Sequence, residues 1–137
     1  MPRFLLLAAL ALATLATASP AAAADRSPTK AERRAIERKA LKVCGAAAPA
    51  PCTFHRARVS TRNPRFAWAD VTGEGFSAVL LKRRTEGARR FRVAGTQGGG
   101  IGECSYWLAR APARVLRDLR VSGLVEATGE VRNCGRV

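Results

Sequence analysis

The chain has 137 residues, and its 24 Lys and Arg residues outnumber its 10 Asp and Glu residues to give a net charge of +14. A chain of this length can bury one hydrophobic core, which excludes a second domain of ordinary size. The charge predicts attraction to polyanions that weakens as salt rises, but charge alone does not separate cell-wall polymers, phospholipid surfaces, nucleic acid and acidic proteins.

The first 24 residues have the pattern of a secretory signal peptide. Arg3 gives a positive start, residues 4–18 are apolar apart from two threonines, and small residues fill positions 21–24. The apolar run is shorter than the roughly 20 residues of a membrane span, and its small-residue end predicts cleavage after Ala24. An uncleaved amino-terminal anchor is the alternative, which the short run and the cleavage site both disfavour.

Cleavage after Ala24 would leave a single domain, residues 25–137. Because Arg3 is the one charged residue of the leader, its removal lowers the net charge only from +14 to +13. No later segment is apolar over the length of a membrane span. We therefore expect a secreted, extracellular protein whose residues 25–28 form a flexible start.

The four cysteines are expected to form disulfides, because export places them in an oxidising compartment. No CxxC pair occurs, and the single histidine, His55, has no partner at zinc-ligand spacing, so we expect neither a metal nor a cofactor. Four cysteines allow three pairings. We favour Cys44 with Cys52 and Cys104 with Cys134, because each pair closes a loop between adjacent elements. A bridge from Cys44 to either distal cysteine is the alternative.

A helix is predicted over residues 30–43. Thr29 and Glu32 have the spacing of a capping box, and Ser27–Pro28 offers an alternative start. Two prolines in residues 45–51 predict a turn that ends the helix. Apolar residues at three- and four-residue spacing indicate one face that packs on a sheet. These residues are Ala35, Ile36, Ala40 and Val43.

Four segments then alternate in the manner of half-buried strands, and their short connections predict an antiparallel meander. On the first strand, His55, Ala57 and Val59 are expected on one face, and Arg56 and Arg58 on the other. The predicted strands are residues 53–61, 65–72, 76–84 and 89–96. The second strand is expected to place Phe66 and Trp68 opposite Ala67, Ala69 and Val71.

The sequence from residue 97 onward predicts a loop, a short helix and a last strand. Residues 97–102 are glycine-dense, and they lack the lysine and hydroxyl of a phosphate-binding loop, with no helix expected directly after them. Pro112 suits the first turn of a helix, and residues 121–131 can add a strand. The expected fold is therefore α+β: an N-terminal helix packed on a four- to five-stranded antiparallel meander, with a short C-terminal helix, stapled by two disulfides.

No catalytic constellation is visible. His55 could act as a general base, and a single-histidine ribonuclease would need Glu74 or Glu103 beside it with an arginine, yet no spacing brings these groups together. A hydrogen-bonded structural histidine on an apolar strand face is the commoner case. No close acidic pair marks a glycosidase. The larger aromatic residues, Trp68, Tyr106 and Trp107, are more typical of a core than of a stacking platform.

The leading functional hypothesis is a monomeric, non-catalytic domain whose basic surface binds an anionic cell-wall polymer or an acidic protein. No sequence feature specifically supports the binding of nucleic acid. The arginines are widely scattered, which favours solvated surface over a dedicated binding face. The candidate anion-binding residues are Arg56, Arg58, Arg83, Arg84, Arg89, Arg90 and Arg92.

Two other functions stay open. A secreted protease inhibitor could present residues 98–106 beside a disulfide, although a glycine-rich loop is poorly suited because inhibition benefits from stiffness. A small secreted nuclease would depend on His55, and replacement of this residue by alanine would test it.

Three parts of the sequence are distinctive: residues 58–69, with Asn63-Pro64-Arg65-Phe66-Ala67-Trp68-Ala69, then Phe91-Arg92-Val93, and residues 112–119 with Arg117-Asp118-Leu119. Together they resemble small secreted proteins of high-GC Gram-positive bacteria that have no assigned activity. The resemblance spans about residues 30–120. It implies export and a helix-plus-sheet domain, and it transfers no catalytic motif and no ligand.

Overall fold

An antiparallel sheet of five strands forms the centre of the protein. The computed structural model describes residues 25–47 and 51–137, so the predicted leader at 1–24 lies outside the described residues. The predicted α+β fold is confirmed, with a helix before an antiparallel meander and a short helix after it. In chain order the elements are β1 (Asp25–Arg26), α1 (Lys30–Ala47), β2 (Thr53–Ser60), β3 (Phe66–Gly73), β4 (Phe76–Arg83), β5 (Phe91–Gly98), α2 (Cys104–Leu108), α3 (Ala113–Asp118), β6 (Ser122–Val125), β7 (Glu130–Asn133) and a final 3-10 turn (Cys134–Arg136).

Both faces of this sheet are covered. The strands follow one another in the order β1-β2-β3-β4-β5, and α1 packs on one face. A C-terminal segment, made of α2, α3 and the β6–β7 hairpin, packs on the other face around Trp107. This explains why Val79, Leu80 and Leu81 are apolar in succession, because a strand buried on both faces has no polar side.

The predicted start of α1 is confirmed. Glu32 donates its backbone N–H to Thr29 Oγ1 at 3.2 Å, and Thr29 donates its backbone N–H to Glu32 Oε2 at 2.9 Å, which is the reciprocal pattern of a capping box. Ala35, Ile36 and Ala40 of the predicted stripe are buried. Local spacing therefore sets both where the helix begins and which face packs on the sheet.

The structure corrects two expectations around α1. β1 pairs antiparallel with the end of β2, where the sequence predicts a flexible start. α1 also continues to Ala47, beyond the predicted end at Val43. Alanine favours the helical conformation, and the first residue that breaks a helix outright is Pro49, which explains the extension.

A bulge in β2 corrects the predicted face of His55. The alternation predicts His55 on the apolar face with Ala57 and Val59. The β2–β3 register shifts between Phe54 and Arg56, so that Phe54 packs against the core on the α1 side while His55 is exposed. One extra residue in a strand reverses its alternation, and periodicity in the sequence does not reveal the extra residue.

The chain after β5 contains more structure than the sequence predicts. α2 begins at Cys104, directly after the glycine-dense loop, where no helix is expected, because its five residues are too few to show a periodic pattern. The single strand predicted over 121–131 is a hairpin in a separate two-stranded sheet, and Gly129 turns it with φ of 69°. α3 follows Pro112 as predicted.

The two disulfides join the pairs predicted from the sequence. Cys44 and Cys52 link the end of α1 to the start of β2, and Cys104 and Cys134 link α2 to the final turn. β6 passes very close to the second bridge. A Cβ atom at Gly123 would lie 2.8 Å from Cys134 Sγ and 2.7 Å from a backbone oxygen, so a larger residue would force the backbone to move.

Glu32 ties three elements together. Its carboxylate accepts hydrogen bonds from Arg26 of β1 at 2.8 and 2.9 Å and from Arg83 of β4 at 2.8 Å. The hydrogen bond from Arg26, helped by Thr29 and Arg83, holds the pKa of Glu32 well below its usual range. The Arg83 side chain is only 1% exposed, and among the described residues Glu32 is the one carboxylate that pairs with it.

Asp118 fixes α3 to the turn that follows β2. Its buried carboxylate accepts hydrogen bonds from Ser60 Oγ and the Thr61 backbone N–H, each at 2.6 Å, and from the Arg62 backbone N–H at 3.1 Å. This contact holds the C-terminal segment in position on its face of the sheet.

Candidate anion-binding surface

A groove between α1 and the start of β5 is lined mainly by basic side chains. On α1, Arg38, Lys39 and Lys42 follow Ala35 at three-, four- and seven-residue spacing, so they form a stripe beside the one that packs on the sheet. The chain leading into β5 supplies the opposite wall. We call this space of about 510 Å³ the helix groove, lined by Ala35, Arg38, Lys39, Lys42, Arg89, Arg90 and Phe91.

The five cations of the helix groove have no acidic partner within residues 25–47 and 51–137. Among the described residues, the ion pairs involve Arg26, Arg56, Arg58, Arg83, Arg120 and Arg132, and none involves a cation of this groove. No acidic side chain of the described part of the chain lines the groove, and the buried Ala35 and Phe91 contribute apolar surface to it. Low-dielectric walls with charge of one sign concentrate the field, so the groove attracts anions.

A second basic groove lies beside β5, on the face of the sheet that carries the C-terminal segment. Lys82 belongs to this face, because it pairs with Phe66, which packs in the core of the C-terminal segment. We call this space of about 480 Å³ the strand groove. Its lining consists of Arg65, Lys82, Arg83, Arg84, Arg92, Val93 and Ala94.

Like charges face each other across the strand groove. Lys82 of β4 is the register partner of Arg92 of β5, and like charges directly opposite one another destabilise a sheet. Part of the repulsion is offset because Lys82 Nζ lies 5.2 Å from the centroid of the Phe66 ring. An anion bound between the two cations would remove the remaining repulsion.

Five of the seven predicted arginines line the grooves, and four of these five have exposed side chains. Arg89 and Arg90 line the helix groove, and Arg84 and Arg92 line the strand groove. All four side chains are exposed. They therefore stand within reach of a ligand.

The other three predicted arginines have surroundings of their own. Arg83 lines the strand groove but is buried, and its guanidinium is held by Glu32. Arg56 of β2 lines neither groove, and its Nε donates to Asp70 Oδ2 at 2.6 Å. Arg58 is half-buried, and burial lowers the pKa of its guanidinium. The structure thus separates residues that the sequence grouped together.

Sequence reasoning missed five groove residues. The lysines and the arginine of α1 lie on a recognisable stripe, but the sequence does not show that this stripe faces the start of β5. Arg65 and Lys82 likewise become neighbours only through strand pairing. The missed residues are Arg38, Lys39, Lys42, Arg65 and Lys82.

His55 contacts a hydroxyl group on the neighbouring strand. Its Nε2 lies 2.5 Å from Thr72 Oγ1 across the β2–β3 pair, and the side chain is exposed. Among the described residues, neither Glu74 nor Glu103 forms a hydrogen bond with it. The combination that a single-histidine ribonuclease needs is therefore not assembled around this side chain.

The structure also brings two carboxyl groups together that the sequence keeps apart. Glu103 and Glu126 are neighbours, and the hydrogen bond and the charge of Glu126 raise the pKa of Glu103. Ser105 Oγ donates to Glu126 Oε1 at 3.3 Å. This exposed pair contains too few ligands for a metal, and the described residues hold no group of three or more His, Cys, Asp or Glu side chains that could bind one.

The glycine-dense loop before α2 is fixed at its end. Leu124 donates its backbone N–H to the Gly102 carbonyl at 2.8 Å, and the disulfide at Cys104 follows directly. Ile101 is 59% exposed on this loop. The loop therefore exposes an apolar side chain to solvent, while a hydrogen bond and a disulfide hold its C-terminal end.

None of the helices within residues 25–47 and 51–137 is long and apolar enough to cross a membrane. Comparison with protein-family models, with curated proteins and with solved structures found no match. Functional inference therefore depends on the chemistry of the two grooves.

Proposed function

We propose that the protein is a secreted, non-catalytic domain that binds an anionic extracytoplasmic partner through its basic surface, with the helix groove as the centre of the contact. The observation that carries this proposal is the convergence of five cations that form no ion pair with any described residue. The signal-like leader and the two disulfides support an extracellular setting for this interaction.

The energetics favour a partner with many charges. Exposed ion pairs contribute about 0.2–1 kcal/mol each, so five cations give at most about 5 kcal/mol, or a dissociation constant of about 0.2 mM. A small anion held by these contacts alone would bind weakly. Tighter binding requires an anionic cell-wall polymer or an acidic protein that extends beyond the groove and meets further cations.

The proposal is tested by measuring the affinity of the protein for poly-glutamate and for a glycerol-phosphate polymer by isothermal titration calorimetry. The test variant replaces Arg38, Lys39 and Arg90 with glutamine. Loss of three contacts is expected to lower the affinity for both polymers about tenfold.

A control variant with the same change in net charge makes the result specific. It replaces three exposed arginines outside both grooves, Arg34, Arg114 and Arg136, with glutamine. We expect this variant to bind nearly as the unmodified protein does. An equal loss of affinity in the two variants would mean that binding depends on net charge and not on the position of the charges, and the assignment of the groove would be rejected.

Inhibition of a secreted protease is a second candidate, favoured by the exposed Ile101 on its braced loop. Such a side chain can enter a cleft that accepts apolar residues, while the anchored Gly102 and the disulfide at Cys104 hold the base of the loop. A panel of serine and cysteine proteases provides the test. Inhibition that disappears in Ile101→Asp would support the candidate, and a panel without inhibition at micromolar protein would remove it.

A further inference from the structure

Half of the outer edge of β5 lies open. β5 comes last in the sheet order, and no described strand pairs beyond it. The Thr96 backbone N–H donates to the Tyr106 hydroxyl at 3.0 Å, so this donor of the edge is already occupied. Within the described chain, residues 91–95 form no backbone hydrogen bond to a segment other than β4. Such open strand edges are templates to which an extended chain can add.

Both basic grooves flank this open half. The helix groove reaches Arg90 and Phe91 on the α1 side, and the strand groove includes Arg92 on the side of the C-terminal segment. Cations therefore lie on both faces of the sheet beside the same few residues of edge. Of the residues that the structure describes, no acidic one lines either groove.

We propose, as a step that rests on the proposed function, that the anionic partner is an acidic protein segment that adds to β5 as an extended strand. Side chains of a strand point alternately to the two faces of its sheet. A segment paired with residues 91–95 would therefore direct successive side chains into the helix groove and the strand groove in turn. Two adjacent acidic residues would each meet cations, one on either face.

The distribution of charge argues against two other occupants of the edge. A second copy of this chain, paired through β5, would bring Arg90 and Arg92 of the two copies close together, and like charges in such positions repel. The leader, residues 1–24, has Arg3 as its one charged residue and so offers no acidic group. An acidic partner is the occupant whose charge matches the site.

A bulge limits the length of the added strand. The β4–β5 register shifts between Leu80 and Leu81, which leaves Ala94 as an extra residue in β5. Bulges disturb the regular row of backbone donors and acceptors along an edge. Together with the occupied donor at Thr96, this restricts pairing to a short segment of the partner.

The experiment uses a short peptide in which pairs of glutamates are separated by valines. Two further peptides have the same sequence but carry N-methyl groups on alternate backbone amides. In an extended chain alternate amides point to opposite edges, so one peptide is methylated along one edge and the second peptide along the other. Because an added strand pairs through one edge, methylation of that edge is expected to weaken binding about tenfold, whereas methylation of the other edge leaves the affinity unchanged. Hydrogen exchange of the amides of residues 91–95 is expected to slow when the unmethylated peptide binds.

Charge-reversal variants connect the peptide to the grooves. Arg90→Glu and Arg92→Glu each place a negative charge beside the open edge, on the helix groove and the strand groove respectively. We expect each variant to lose peptide binding. Arg114→Glu makes the same change at an exposed site outside the grooves, and it is expected to retain binding.

The outcomes separate the two proposals. If all three peptides bind equally and no amide of β5 is protected, strand addition is rejected while anion binding stands. If neither peptide nor polymer binds, both proposals fail. Dimerisation of the free protein that the peptide reverses would show that a second copy occupies the edge, which would overturn the acidic-partner proposal.

Discussion

Replacing Glu32 with glutamine removes one charge while preserving size and the cap of α1, since glutamine is accepted at this position of a capping box. The Arg83 guanidinium, 1% exposed, would then remain charged without a carboxylate beside it. Removing one partner of a buried ion pair costs about 3–5 kcal/mol. We therefore expect Glu32→Gln to lower the free energy of unfolding by about 3 kcal/mol or more, measured by urea denaturation.

Two comparisons make this prediction refutable. Adding Arg83→Met to Glu32→Gln removes the unpaired guanidinium, so the double variant is expected to be more stable than Glu32→Gln alone. Glu130→Gln breaks the ion pair with Arg132, whose two side chains are 58% and 56% exposed, and it is expected to cost less than about 1 kcal/mol. A loss below about 1 kcal/mol in Glu32→Gln, or strictly additive losses in the double variant, would refute the account of this ion pair.

The same ion pair sets a dependence on pH. The pKa of Glu32 is lowered in the folded protein from an ordinary value of 4.5, so its contribution is fully present above that value. The contribution is lost as pH falls below 4.5, because the unfolded chain then binds a proton that the folded protein does not. Stability of the unmodified protein should therefore fall more steeply with acid than that of Glu32→Gln. Parallel curves from urea denaturation at a series of pH values would contradict this.

Three further substitutions test the packing. Asp118→Asn weakens the hydrogen bonds that the carboxylate accepts from the turn after β2, two at 2.6 Å and one at 3.1 Å, and should cost about 2–3 kcal/mol in urea denaturation, whereas a change under about 0.5 kcal/mol would contradict its anchoring role. Gly123→Ala places a Cβ 2.7 Å from a backbone oxygen and should cost about 1–3 kcal/mol. Gly45→Ala, within α1 and with nothing in contact range, should instead raise the melting temperature by stabilising the helix about 0.5 kcal/mol. Equal effects of the two glycine substitutions would be inconsistent with the structure.

Features encoded by neighbouring residues could be predicted from the sequence. The capping box of Thr29 and Glu32 depends on a spacing of three residues, and the alternation that places Phe66 and Trp68 on one face depends on a spacing of two. The Cys44–Cys52 disulfide joins residues eight positions apart, and α3 begins directly after Pro112, so both also depend on neighbouring residues. Such patterns act before any tertiary contact forms.

Features that depend on pairing between distant segments could not be predicted. The exposure of His55 results from a bulge against β3, which alternation does not reveal. Arg83 is buried because Glu32, far away in the sequence, neutralises it. The helix groove exists because Lys39 of α1 and Arg90, just before β5, line the same space although they are far apart in the sequence. A list of arginines from the sequence therefore mixed groove residues with internal ones.

In the proposed function the helix groove, and not scattered surface charge, holds the anionic partner. The most direct test is the slope of log affinity against log salt concentration for poly-glutamate. Replacing Arg38, Lys39 and Arg90 with glutamine removes three contacts and should reduce the magnitude of that slope by about 2, whereas the control at Arg34, Arg114 and Arg136 should leave it nearly unchanged. Slopes that fall equally in the two variants would contradict the claim.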